Sequence, residues 1–124
     1  MIGYHYSPVE NRESIARHGL LVPKLHPRLT TPVTCADGHR NPHISLARSP
    51  HEAWILSGGF MYQRIISGDR QSYFNTPEYW DLYQVQLHKG SYRSDHMELK
   101  SRKDIAPLYV VLVGTRTLRE WWRT

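Results

Sequence analysis

Cysteine is nearly absent from this chain: Cys35 is the only one in 124 residues. A lone cysteine cannot close an internal disulfide, so no disulfide scaffold underlies the fold. Long apolar runs are missing as well. The longest, Leu108 to Val113, is far below the roughly 20 residues of a membrane helix, so no membrane partner is expected. The opening Met1-Ile2-Gly3-Tyr4-His5 has no basic and no apolar leader region. The expectation is therefore a soluble, cytoplasmic protein. Lysine is scarce, with Lys24, Lys89, Lys100 and Lys103 against twelve arginines, and no run of five or six basic residues occurs. That dispersal excludes a basic tail of the kind that coats nucleic acid.

What is present describes a packed protein. The chain is 40% hydrophobic and 22% charged, enough apolar residue for one buried core, and is read as a single domain over 1–124. The net charge is +5. Because arginine grips oxyanions bidentately, the Arg bias suits a phosphate-bearing ligand. Fourteen aromatics include Trp54 and Trp80, both set in apolar patterns and expected in the core.

Residues 2–6 read as a first strand. Ser7-Pro8-Val9-Glu10 then has the makings of a helix start: a hydroxyl cap, proline at the first helical position, and a glutamate reaching back. That helix is expected to close at His18-Gly19. Residues 22–42 hold Pro23, Pro27, Pro32, Gly38 and Pro42 and read as a long loop beside the site, mobile without ligand. His43 to Leu46 reads as a strand, and Ser49-Pro50-His51-Glu52 as a second capped helix start, ending at Gly58-Gly59. Residues 60–66 fit strand or helix equally. Tyr83, Val85 and Leu87 alternate as on a half-buried strand over 79–87, and residues 96–100 make a short one. Leu108 to Val113, β-branched and continuous, is the clearest buried strand in the sequence. The class is α+β, with five or six short strands and two helices near the N-terminus.

Read in order, these blocks resemble the ADP-ribosyltransferase fold. Tyr4-His5-Tyr6-Ser7 followed by a helix ending Ile15-Ala16-Arg17-His18-Gly19-Leu20 is similar to its opening strand and helix. Ile44-Ser45-Leu46 with Ser49 and Ala53 is similar to its next strand and helix. Leu82 to Leu87 looks like its Tyr-x-Val-x-Leu strand, and Glu98-Leu99 with Asp104 to Gly114 like its closing hairpin. The resemblance implies a split pair of small, mostly antiparallel sheets with two N-terminal helices. It also implies NAD as substrate and an enzyme of the glycosyltransferase class. Such an enzyme transfers ADP-ribose to a protein or nucleic-acid acceptor, or hydrolyses NAD. The Arg bias and small size are similar to phage-encoded or toxin-like members.

In the His-Tyr-Glu branch of that family, a first-strand histidine bonds the adenosine ribose, which maps to His5. The backbone after it clamps the nicotinamide amide, which maps to Tyr6 and Ser7. A residue of the second block supports the nicotinamide ribose, which maps to Ser45. A late glutamate orients the ribose hydroxyl and steadies the cationic sugar, which maps to Glu98. His5, Ser45 and Glu98 come from three strands and are expected to converge on one cleft. Arg40 and Arg48, with Arg28, flank the long loop and suit the NAD pyrophosphate or the phosphates of an RNA end. Two residues depart from the pattern: Tyr6 stands where the family carries glycine, and Ser45 where the branch has a tyrosine, for which Tyr62 is the candidate substitute.

Two other readings remain open. One is a non-catalytic nucleotide- or partner-binding module of the same shape. The other is a small basic RNA-binding or RNA-modifying protein. Cys35, His39 and His43 follow a Cys-x3-His-x3-His spacing, but a structural zinc site needs a fourth ligand and tighter spacing, so they are not expected to share an ion. The sequence leaves the oligomeric state undecided.

Overall fold

The computed structural model describes residues 1–23, 42–68 and 76–119. Their architecture is α+β: a six-stranded antiparallel sheet with short helices on both faces. The strands are β1 (Ile2–Pro8), β2 (Ile44–Ala47), β3 (Tyr79–Gln86), β4 (Arg93–Asp95), β5 (Glu98–Ser101) and β6 (Val110–Thr117). Their order across the sheet is β4-β5-β2-β1-β3-β6. The helices are α1 (Arg12–His18), α2 (Pro50–Ile55) and α3 (Gly58–Ile66).

The sheet is unevenly knitted. β1 and β3 pair continuously from Ile2 opposite Gln86 to Pro8 opposite Trp80, and β2 and β5 pair from Ile44 opposite Ser101 to Ala47 opposite Glu98. β1 and β2 meet in register at one position only, Tyr4 opposite Ala47. Two three-stranded halves are thus joined along a narrow seam. The expected pair of separate sheets is one sheet with a weak joint.

Strand alternation sorts the apolar residues into two cores. Ile44, Leu46, Tyr83, Val85 and Leu99 meet Ile15 of α1 on one face. Tyr6, Ala47 and Trp80 meet Ala53 and Trp54 of α2 and Met61 of α3 on the other. Trp54 is fully buried, with Tyr6 and Trp80 edge-on to it at 4.9 and 5.8 Å between centroids.

The two Ser-Pro-x-Glu segments behave differently. Ser49 caps α2 by accepting from the Glu52 amide at 3.1 Å, with Pro50 at the first turn. Ser7 caps nothing. The ladder to β3 holds the chain extended through Pro8, a 3-10 turn covers Val9–Asn11, and α1 begins only at Arg12. Ser7 Oγ instead accepts from Asn11 Nδ2 at 3.0 Å. Cross-strand pairing overrides the local cap motif there.

Gly58-Gly59 opens a third helix rather than closing the second, because the chain must pass close to Trp54. A Cβ on Gly58 would lie 2.3 Å from the indole ring. Residues 60–66 are helical as part of α3.

The largest misreading concerns Leu108 to Val113. Leu108 is 82% exposed, and Val111, Leu112 and Val113 are 54%, 42% and 47% exposed. β6 is an edge strand with β3 as its only strand neighbour among the described residues, and its apolar positions Val111 to Val113 stay exposed. Apolar continuity alone does not separate a central strand from an uncovered edge.

Gly19 ends α1 in a backbone region that favours glycine, with φ of +73°. A Cβ there would sit 1.9 Å from the Ile105 carbonyl oxygen. That oxygen accepts from Leu20 N at 2.9 Å, and this contact ties α1 to the segment before β6. Gly19→Ala is therefore expected to cost about 2 kcal/mol or more. Urea unfolding of the pure variant checks it; an unchanged midpoint would refute the argument.

Candidate functional site

The seam between β1 and β2 carries His5 and Ser45, and Glu98 lies one strand away on β5. His5 lies on β1 beside the single joint at Tyr4. Its Nδ1 bonds the backbone carbonyl of Ser45 at 2.7 Å, crossing from one half of the sheet to the other. A carbonyl oxygen only accepts, so Nδ1 carries the hydrogen and Nε2 presents its lone pair. Burial pushes the His5 pKa below the ordinary histidine value, and the bond to Ser45 offsets this only in part. The ring is accordingly neutral at pH 7, a hydrogen-bond acceptor at Nε2.

On β2, the Ser45 side chain donates to Glu98 Oε2 on β5. His43 Nε2 reaches the same oxygen at 3.3 Å. The other oxygen, Oε1, lies 3.8 Å from Lys100 Nζ, which is nearer to Asp95 at 3.2 Å. Register explains the grouping. Ser45 stands opposite Lys100 and Ala47 opposite Glu98, so alternate residues of β2 and β5 share one face. His5, opposite Tyr83, belongs to the other alternate of β1. His5 and the Ser45–Glu98 pair therefore belong to opposite faces of the sheet, and the expected convergence of the three side chains on one cleft wall is not what the register gives. His5 touches the backbone of Ser45, and the Ser45 hydroxyl touches Glu98.

The remaining candidates are distributed as follows. Tyr6 is buried, its ring packed against Trp54 and so turned into the core. Ser7 is buried and engaged by Asn11. Tyr62, on α3, packs against the Trp54 core along with Tyr4. Arg48 follows β2 and clamps the β4–β5 hairpin, donating to Ser94 Oγ and, at 3.3 Å, to the His96 carbonyl. Arg28, Arg40, Cys35 and His39, like most of the 22–42 loop and Trp121 and Trp122, lie outside the described residues.

No protein-family model, no curated protein and no solved structure matches the chain.

A second polar cluster sits on the α1 face. Asp81 of β3 is fully buried. Arg12 grips it side-on, with Nε and Nη2 at 2.8 and 2.7 Å, and Thr115 Oγ1 donates to it at 2.6 Å. The Arg12 hydrogen bonds hold the Asp81 carboxyl below its ordinary range, against the opposing effect of burial. Burial, and then the nearby Asp81 charge, push the Tyr83 phenol up to about 12. A groove of about 280 Å³ beside this cluster is lined by Arg12, Ile15, Ala16, Tyr83, Pro107, Val110 and Leu112, and contains none of the sequence-derived candidates.

From the sequence, His43 stands beside Ser45 in the second block and in the Cys35–His39–His43 spacing, whereas nothing marks Lys100 or Asp95 as site residues. The i, i+2 spacing of His43 and Ser45 on one strand, and of Glu98 and Lys100 on another, was the available indication. Among the described residues, no three His, Cys, Asp or Glu side chains are grouped to hold a metal ion. No helix among them is long and apolar enough to cross a membrane.

Proposed function

We propose that the seam is an NAD site of ADP-ribosyltransferase type, with His5, Ser45 and Glu98 as its core. What supports this reading is that His5 Nδ1–H bonds the Ser45 carbonyl across the joint between β1 and β2, while the Ser45 hydroxyl donates to Glu98 on β5, so residues of three adjacent strands are linked through Ser45.

The chemistry follows from these atoms. A neutral His5 offers Nε2 as an acceptor for a ribose hydroxyl proton. Glu98 accepts from Ser45, is partly exposed, and has Oε1 3.8 Å from Lys100 Nζ. In the reaction, the bond between the ribose C1′ and the nicotinamide nitrogen breaks, and its electron pair leaves with nicotinamide. Positive charge gathers on the sugar. An anion fixed beforehand near that charge lowers the barrier without having to reorganise. Water or an acceptor nucleophile then bonds to C1′ and gives up its proton. The nicotinamide amide would meet backbone just after His5. Tyr6 poses less obstacle there than its size suggests, because its side chain is committed to Trp54.

Two measurements on the wild-type chain test this. A ligand that binds only the native state must raise the apparent melting temperature, so NAD is expected to do so at concentrations above its Kd. Nicotinamide should also appear from NAD, alone or with protein and nucleic-acid acceptors supplied. Binding without release under all these conditions would favour the non-catalytic module. No binding would remove NAD from the reading, leaving salt-dependent RNA binding as the next test.

A further inference from the structure

We propose that His43 is a positioning residue for Glu98: with Ser45 it holds Oε2, so that Oε1 is the oxygen turned to the ligand. The inference rests on the reading of Glu98 as the reacting carboxylate, and it adds a residue which that reading does not contain.

The geometry gives the two carboxylate oxygens different surroundings. Oε2 receives the Ser45 hydroxyl and the His43 imidazole, which lies 3.3 Å away. A carboxylate only accepts, so His43 Nε2 must be the donor. One donor fixes a point on a carboxylate but leaves the group free to swing about it. The donors from residues 43 and 45 meet the same oxygen, and two donors on its two in-plane lone pairs hold Oε2 in place and set the plane of the carboxylate. Oε1 faces Lys100 at 3.8 Å, too long for a direct hydrogen bond, while the ammonium lies closer to Asp95 at 3.2 Å. Lys100 is thus held back by Asp95. If the grip on Oε2 loosens, the carboxylate can turn toward Lys100 and close an ion pair that takes Oε1 away from the ligand. His43 is suited to prevent this because it is 9% exposed and cannot wander. Lys100 and Glu98 are each 20% exposed at the side chain, so part of the pair reaches solvent. A histidine that only filled space would not aim Nε2 at an oxygen already held by a neighbour two residues away.

The test compares His43→Leu with His43→Gln in nicotinamide release from NAD. Leucine fills the site without a donor, whereas glutamine keeps an N–H near the Nε2 position. His43→Leu is expected to lower kcat on the order of 10- to 100-fold, as misplaced reacting groups do, with KM for NAD within about twofold. His43→Gln should recover most of the loss. Full kcat in His43→Leu would overturn the proposal. So would a joint loss of kcat, NAD affinity and melting temperature that glutamine does not repair, since that marks a packing role. If the wild type neither binds NAD nor releases nicotinamide, the functional reading falls, and positioning is judged by nitrogen-15 NMR of the imidazoles. Glu98→Gln should then shift the His43 Nε2 resonance and leave exposed His88 unchanged. An unmoved His43 resonance would overturn the contact itself.

Discussion

Glu98→Gln is expected to cut nicotinamide release from NAD by about 10²- to 10³-fold while leaving NAD affinity nearly intact. Glutamine keeps the shape and can still accept from Ser45 and His43, but it lacks the negative charge. That charge matters only when the bond to nicotinamide breaks and the sugar turns cationic. Removing it therefore costs transition-state stabilisation and little ground-state binding. His5→Ala should behave in the opposite sense. It deletes Nε2 as an acceptor and the Nδ1 bond that spans the seam. Lost hydrogen bonds of this kind are worth about 0.5–1.5 kcal/mol each, so NAD affinity is expected to fall several-fold along with turnover. Calorimetric NAD binding and nicotinamide release, measured on both variants, separate the two roles. Full turnover in Glu98→Gln would take Glu98 out of the mechanism. Unchanged NAD affinity in His5→Ala would take His5 out of the ribose contact.

The elements that the sequence made legible are those whose local pattern agrees with their tertiary setting. Tyr83, Val85 and Leu87 alternate and are buried as alternation demands. Ser49, Pro50 and Glu52 form a capped helix start because nothing competes for that backbone. The same motif at Ser7 lost to the ladder with β3, which lies some seventy residues away in sequence and is invisible to any local window. Burial of Leu108 to Val113 was inferred from composition, but it depends on what lies above the strand, and composition does not say. The site divides in the same manner. His5, Ser45 and Glu98 could be picked out one by one through the family resemblance. Their connection could not, because it runs through a backbone carbonyl and through a seam set by strand order. His43 drew notice for its spacing from Cys35 and His39. What gives it a task is its place two residues before Ser45 and its reach to Glu98.

Asp81→Asn is expected to be among the most damaging single changes for stability, costing about 3 kcal/mol at pH 7, or roughly 10 °C in melting temperature for a domain of this size. Asp81 has no exposed surface. Its charge is tolerated because the Arg12 fork and the Thr115 hydroxyl satisfy both oxygens. The amide keeps the volume but turns an NH2 group toward a guanidinium that can only donate, so one strong bond becomes a donor–donor clash. The pair also pins the start of α1 to β3, which is why a strand residue controls a helix. The pH dependence identifies the cause. The Asp81 pKa is depressed in the folded state, so its contribution is present above the unfolded carboxyl value near 3.8 and is lost as pH falls through the lower folded value. The gap between wild type and Asp81→Asn should be widest above about pH 5 and should narrow in strong acid. His5 acts in a different window. Its folded pKa lies below the ordinary 6.5, so the unfolded chain takes up the proton first. Stability should fall as pH drops below about 6.5, by at most roughly 1.4 kcal/mol per pH unit, and it should do so equally in wild type and Asp81→Asn. Urea unfolding at pH 7, 5 and 3 reads both effects. A wild-type advantage as large at pH 3 as at pH 7 would mean that Asp81 acts through its shape. No advantage at any pH would mean that the Arg12–Asp81 contact is not what joins α1 to the sheet.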